Sequence, residues 1–231
     1  MNVNFIVLKW GTKYGPEYVN RLYKTLCNIY SGQFSFYCFT DNHKNLHGDI
    51  IIKDISLLRP PGTTCFTVEK IFLFDGIVEG NNVLLDLDIV VTKDLYPYLA
   101  DYNFKEGRFI INDWADPHYC EVEAKMGACY INSSFVTWKD TQLKYVLDFY
   151  LKHKKVIDFK YEDLDTFLFQ AMRKQLHYHP YRTAMSYNFN NDYDEINDIP
   201  ILMFNTSHAK NSGVELHQAQ GWAAELWRKY D

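Results

Sequence analysis

Two aspartates in an otherwise apolar run are the residues of this chain best suited to chemistry. Residues 83–91 read Val-Leu-Leu-Asp-Leu-Asp-Ile-Val-Val, a pattern typical of a strand that is buried on both faces. Burying two carboxylates is costly unless a cation offsets their desolvation. If the strand continues, Asp86 and Asp88 point to the same side of it. If the strand ends there, both can reach a single ion. The run therefore predicts a divalent-metal site at the carboxyl end of a parallel strand, with a strand that ends in solvated acids as the alternative.

The elements that would position these acids alternate between strand and helix in the first half of the chain. The sequence predicts strands at 5–9, 34–40, 49–52 and 83–91, with helices at 18–29 and 67–77. The second half is less regular, with predicted strands at 109–112, 128–138 and 201–204 and helices at 143–151, 164–176 and 219–229. This order is typical of a doubly wound, mostly parallel sheet, and we expect a single α/β domain over 1–231.

Composition excludes several classes of function. The 231 residues carry a net charge of −5, which argues against a nucleic-acid-binding surface. The basic run at 152–155 is most simply the solvated end of a helix. The five cysteines are odd in number and lack Cys-x-x-Cys spacing, so we expect reduced thiols in a cytoplasmic protein. No apolar stretch approaches the length of a membrane span.

The order of several short motifs resembles that of small nucleotide-sugar glycosyltransferases of the GT-A type. Those enzymes carry a nucleotide-binding loop after the first strand, a strand ending in Thr-Asp, a lysine-bearing helix and a hydrophobic strand ending in Asp-x-Asp. The matching segments here are LKWGTKY (8–14), FTDN (39–42), VEKIF (68–72), LDLD (85–88), INSS (131–134), YEDLD (161–165) and FNTSHAK (204–210). The resemblance implies a Rossmann-like GT-A fold with a mixed, mostly parallel sheet flanked by helices. It places a nucleotide-binding lobe in 1–100 or so and an acceptor-binding lobe in the remainder.

The resemblance also implies a site for a nucleoside-diphosphate sugar, with UDP as the usual nucleotide of the family. Metal ligation falls to Asp86, Asp88 and His208, and an imidazole among oxygen ligands favours Mn²⁺ over Mg²⁺. At this histidine, family members often have the pattern His-x-x-Gly-x-x-Lys-Pro. Residues 208–213 here read His-Ala-Lys-Asn-Ser-Gly and depart from it. The predicted nucleotide and phosphate contacts are Trp10, Gly11, Thr12, Tyr14, Asp41, Lys70, Asp86, Leu87 and Lys210.

Several of these residues also have an ordinary structural explanation. Tyr14 would serve equally as a core residue after a tight turn, and Asp41-Asn42 is a common turn pair. Lys70 would be a solvated helix lysine if it did not reach the crevice.

On the acceptor side, an inverting enzyme needs a base for the acceptor hydroxyl, and Asp163 is the candidate. The acids near 163 could equally cap a helix, and a retaining enzyme would need no base. The acceptor is expected to be a glycan or another hydroxyl compound. The predicted substrate contacts are Asn112, Asp113, Asn132, Trp138 and Asp165.

Two other classes of protein remain open. A haloacid-dehalogenase-type phosphatase would use Asp86 as its nucleophile and Asp88 as its general acid. That motif normally lies on the first strand, whereas three predicted strands precede it here. A non-catalytic module that binds carbohydrate or nucleotide would use the same carboxylates and aromatic rings.

Overall fold

A seven-stranded sheet forms the centre of the computed structural model, which describes residues 1–58, 68–111, 130–161, 163–187, 198–204 and 215–231. Its strands, in chain order, are β1 (Asn2–Lys9), β2 (Gln33–Thr40), β3 (Ile51–Asp54), β4 (Asn81–Leu85), β6 (Arg108–Ile111), β7 (Ile131–Lys139) and β8 (His177–Tyr178). A second sheet contains β5 (Ile89–Val91), β10 (Ile201–Met203) and β9 (Ala184–Ser186), in that spatial order.

The large sheet is mixed but mostly parallel, as predicted. Its spatial order is β3-β2-β1-β4-β7-β6-β8, and only β7 runs against its neighbours. The pairs β1–β2, β1–β4, β2–β3 and β6–β8 are parallel. Because β1, β2 and β4 run in one direction, their carboxyl ends meet at one edge of the sheet, where open α/β sheets bind ligands.

The helices cover both faces of this sheet. They are α1 (Pro16–Ile29), α2 (Glu69–Phe72), α3 (Tyr96–Tyr102), α4 (Lys144–Lys160), α5 (Leu164–Phe167) and α6 (Gly221–Arg228). Alternate residues of β1 point to opposite faces, so Phe5 packs in one core with Leu22 of α1 while Ile6 packs in another with Leu147 of α4. A strand segment covered on both sides is apolar on both faces, which explains the apolar runs at residues 5–8 of β1 and 83–85 of β4.

Three of the predicted helices differ from the observed ones by more than two residues at an end. The predicted helix at 67–77 is one turn, α2, followed by a 3₁₀ turn at Leu73–Asp75. The predicted helix at 143–151 continues to Lys160, and the one at 164–176 becomes a π-helix at Leu168–Met172. In the described ranges, no helix is both long enough and apolar enough to cross a bilayer.

Candidate active site

The run of residues 83–91 is divided between the two sheets, and the two aspartates lie at the division. β4 ends at Leu85 and β5 begins at Ile89. The Asp86 amide still donates to Ser134 of β7 at 2.9 Å, whereas the Asp88 carbonyl accepts from the Phe204 amide, just after β10, at 2.8 Å. The backbone polar groups of this turn are therefore held on both sides, and the carboxylates emerge at the carboxyl edge of the large sheet.

The Asp86 carboxylate forms an ion pair with Lys70. The ammonium lies 2.8 Å from each carboxylate oxygen, and the Lys70 side chain is only 13% exposed. The same ammonium donates to the Ser133 hydroxyl at 3.1 Å, and the Ser134 hydroxyl donates to Asp86 at 2.8 Å. Burial alone would lower the pKa of Lys70, but the combined attraction of Asp86, Asp165 and Asp88 exceeds that effect and raises the pKa. Lys70 is thus part of the site and is not a solvated helix lysine.

Asp88 forms no ion pair within the described part of the chain. Its carboxylate accepts a hydrogen bond from the Tyr14 hydroxyl at 3.0 Å. Burial and the negative charge of Asp86 raise the pKa of Asp88 to about 6, against weaker opposing effects of the Tyr14 hydrogen bond and of Lys13 and Lys70. Burial and the neighbouring Asp88 also raise the pKa of Tyr14, so its hydroxyl stays a donor. Tyr14 therefore contacts Asp88 directly, which was predicted neither by its interpretation as a base-binding residue nor by its interpretation as a core residue.

A cavity of about 250 Å³ opens above this turn. Its volume is slightly below the range of roughly 300 to 1,000 Å³ that is usual for pockets that hold small molecules. Leu87 borders it although the Leu87 side chain is itself buried, and Lys13, which lies 4.7 Å above the Tyr14 ring, was not among the predicted contacts. The lining combines aromatic, cationic and carboxylate groups, mainly Trp10, Lys13, Tyr14, Lys70, Asp86 and Asp88.

The loop after β1 is tied to the end of β2 by Asp41. The Asp41 carboxylate accepts from the Gly11 amide at 3.0 Å. Gly11 has φ +62°, a left-handed conformation that glycine adopts without strain, and no described atom lies within 4 Å of the place where a β-carbon would be. Thr12 is exposed in the same loop. Asp41 thus positions the loop that carries Trp10 and Tyr14.

Asn132 and Asp165 hold the two serines in place. The Asn132 side chain accepts from the Ser134 amide at 2.7 Å, and Asp165 accepts from the Ser133 amide at 3.0 Å. Burial raises the pKa of Asp165 to about 6, although Lys70 opposes this rise. Ser133 and Ser134 were missed as site residues. The available signal was a run of three polar residues, 132–134, at the start of an apolar strand.

Asp163 caps helix α5. One of its carboxylate oxygens accepts from the Thr166 amide at 2.7 Å and the other from the Thr166 hydroxyl at 3.0 Å. The capping alternative to a catalytic role is therefore realised in this structure. A carboxylate with both oxygens engaged still has lone pairs left to accept a further proton.

Trp138 does not lie at the site. It is fully buried and sits opposite Asn82, at the far end of β4 from the aspartates. Its ring packs edge to face on Phe74 at 5.1 Å. The prediction of Trp138 as a sugar contact is thus corrected, because the aromatic type that suits a pyranose face equally suits a core. Four other predicted residues lie outside the described part of the chain, namely Asn112, Asp113, His208 and Lys210.

The chemistry of the acidic pair suits a divalent cation. Asp86 is already balanced by Lys70, whereas Asp88 faces the cavity with a neutral phenol as its partner. A cation of charge +2 would offset the repulsion between the two carboxylates, and Mg²⁺ and Mn²⁺ favour such oxygen ligands. Asp88 would be the main ligand. Among the described residues no group of three or more histidine, cysteine, aspartate or glutamate side chains is arranged to hold a metal ion.

Comparison with known proteins gives similarity in structure alone. No protein-family model matches the chain, and no curated protein is similar to it in sequence. Among solved structures it is similar to the glycosyltransferase GlyE of Streptococcus pneumoniae TIGR4, with 15% identity and a TM-score of 0.60. That match covers 98% of this chain but only 59% of GlyE, so the chain spans about six tenths of that protein.

Two further structures are matched over nearly their whole length. An active-site mutant of LgtC has 13% identity and a TM-score of 0.62, with 98% of this chain and 94% of that chain covered. Mouse xyloside xylosyltransferase 1 has 10% identity and a TM-score of 0.55, with 89% and 98% covered. Together with the mixed sheet and its reversed β7, these matches identify the fold as that of GT-A glycosyltransferases.

Proposed function

We propose that this chain is a metal-dependent glycosyltransferase that moves a sugar from a nucleoside-diphosphate sugar, with UDP as the nucleotide, to an acceptor hydroxyl. The observation that carries the proposal is the Lys70–Asp86 pair beside Asp88, whose charge is disfavoured, at the carboxyl edge of a GT-A sheet. GlyE, LgtC and xyloside xylosyltransferase 1, to which the fold is similar, are glycosyltransferases, and LgtC was crystallised with donor and acceptor sugar analogues.

The donor would lie in the cavity above the acidic turn. Trp10 and Tyr14 offer aromatic surface for the base, and Asp41 holds their loop in position through Gly11. Asp88, with Asp86 and His208, would hold Mn²⁺ (or Mg²⁺), which supplies positive charge against the departing diphosphate. Lys70 holds the Asp86 carboxylate in position through its ion pair, and Lys13 adds a second cation at the cavity wall. Thr12, Leu87 and Lys210 complete the proposed donor contacts.

The acceptor half would follow in residues from about 101 to 231, with the nucleotide-binding half before it. Asn112, Asp113, Asn132 and Asp165 remain the proposed substrate contacts there. For Asn132 and Asp165 the contacts with the backbone of Ser133 and Ser134 support a role in shaping the site from behind. The phosphatase alternative is less consistent with the fold, since the Asp-x-Asp turn follows the fourth strand of the chain.

Calorimetric titration with UDP is the direct test of the proposal. We expect heat of binding in Mn²⁺ and its loss in excess EDTA, because the diphosphate and the carboxylates repel each other without the cation. Release of UDP from a UDP-sugar in Mn²⁺ would then separate a transferase from a module that only binds. No affinity for any nucleoside diphosphate in Mn²⁺, or release of phosphate from phosphomonoesters, would contradict the proposal.

The role of Asp163 as a base is separable from its role as a helix cap. Asp163→Ala should cost about 1 kcal/mol of stability because the α5 amides lose their acceptor, whereas Asp163→Ser should retain most of it. If Asp163 is the base, both variants should slow transfer by roughly a hundredfold or more while UDP binding is unchanged. If turnover instead falls only as far as thermal stability falls, and is normal in the serine variant, Asp163 acts as a helix cap alone.

A further inference from the structure

Helix α4 presents two faces of opposite character. Leu147, Tyr150 and Ile157 are buried against the sheet. Phe159 lies two residues beyond Ile157, about 200° around the helix axis, and is 93% exposed. A phenylalanine this exposed at the centre of an outward face is unusual, because water contact with the whole ring is unfavourable.

Other apolar side chains accompany Phe159 on the same face. Val156 is 63% exposed and Leu151 is 49% exposed. Lysines alternate with them, so the outward stripe of the last three turns is both apolar and basic. We call this stripe the α4 outer face, and it consists of Leu151, Lys152, Lys155, Val156, Phe159 and Lys160.

The positive charge of the α4 outer face is not neutralised locally. Neither Lys152 nor Lys155 has an ion pair with a described residue. The acids of the helix are engaged elsewhere, since Asp158 pairs with Lys154 at 2.5 Å and Asp148 lies 3.3 Å from Lys144. A local surplus of cations on a chain of net charge −5 is therefore concentrated around the exposed apolar groups.

We propose that the α4 outer face docks on the surface of an anionic lipid bilayer. Phe159, Val156 and Leu151 would enter the boundary between headgroups and acyl chains, and the lysines would lie at the level of the lipid phosphates. Both attractions act together at such a surface, since apolar burial and cationic charge each strengthen binding. The inference does not depend on the proposed transferase activity.

Self-association through this face is disfavoured by its charge. A two-fold interface brings the same patch of both copies together, so the lysines of one copy would face those of the other. Like charges in such a contact oppose association. An anionic surface instead supplies the complementary charge.

Co-sedimentation of the full chain with vesicles tests the proposal. We expect binding to vesicles of equal parts phosphatidylcholine and phosphatidylglycerol at low salt, weaker binding at high salt, and none to phosphatidylcholine alone. Lys152→Gln/Lys155→Gln should lower the partition coefficient roughly 30-fold. Phe159→Ser should lower it about tenfold, with no loss of thermal stability because the ring is already exposed.

Matched controls separate this face from the surface in general. Lys44→Gln/Lys105→Gln makes the same change of charge at two exposed positions, and Leu57→Ser removes an apolar side chain that is 56% exposed. Both should bind vesicles like the unmodified chain. Absence of binding to the anionic vesicles, or equal losses in test and control variants, would overturn the proposal. Lipid-free dimers that Phe159→Ser dissociates would also overturn it, by assigning the face to self-association.

Discussion

Asp88→Asn should abolish metal-dependent nucleotide binding and lower transfer by about a thousandfold or more. The amide keeps nearly the shape of the carboxylate and can still accept from the Tyr14 hydroxyl, so the local packing is preserved. It removes the negative charge that a divalent cation would need. The measurements are thermal shift with UDP in Mn²⁺ and release of UDP from a UDP-sugar.

The same substitution should raise the stability of the metal-free protein. The pKa of Asp88 is about 6 because burial and Asp86 disfavour its charge, so at neutral pH the ionised carboxylate is a destabilising group. Removing it should raise the free energy of unfolding by about 1 kcal/mol or more. Loss of activity with a gain in stability cannot come from misfolding. Asp101→Asn, at an exposed position on α3, makes the same charge change and should alter neither property.

An Asp88→Asn protein that still shows the full Mn²⁺-dependent shift would remove Asp88 from the ligand set. A fall in stability without metal would instead mean that the carboxylate has a cationic partner in solution.

The sheet and the acidic turn could be predicted because both depend on local patterns. The sequence itself shows strands that are apolar on both faces, and it shows the interruption of that pattern at Asp86 and Asp88. The continuation of residues 83–91 into a second sheet was not predictable, since Ile89 to Val91 are as apolar as residues 83–85 of β4. Pairing with β10, more than a hundred residues later, decides where that segment lies.

Side-chain partners were the less predictable part of the site. Lys70 could be read as solvated or as functional, and its contact with Asp86 depends on how α2 packs against the end of β4. Trp138 and Trp10 are the same residue type, yet the first is in the core and the second lines the cavity. Position along the strand separates them, and that position follows from the register between β4 and β7.

Lys70→Met should destabilise the fold by about 3 kcal/mol. Methionine preserves the length and much of the volume of lysine but leaves the Asp86 carboxylate without its cation. The Ser133 hydroxyl loses a partner as well. Chemical unfolding at pH 7 measures the loss. Lys144→Met, in an exposed ion pair with Asp75, makes the same chemical change and should leave the melting temperature nearly unchanged, because solvent already screens that pair.

The loss in Lys70→Met should also depend on pH, with a sign fixed by Asp165. Its pKa in the folded chain, about 6, lies above the ordinary 3.8, so the folded state binds more protons than the unfolded state between these values. Stability therefore falls as the pH rises from about 4 to about 6. Lys70 opposes this rise in pKa. Its removal should therefore make the fall in stability with pH steeper and extend it above pH 6, and acid should partly restore the stability of the variant.

Lys70→Met/Asp86→Asn should recover much of the loss of stability at pH 7, since no unpaired charge then remains at Asp86. A double variant as unstable as Lys70→Met alone would mean that lysine packing, and not its charge, supports the turn that carries the two aspartates.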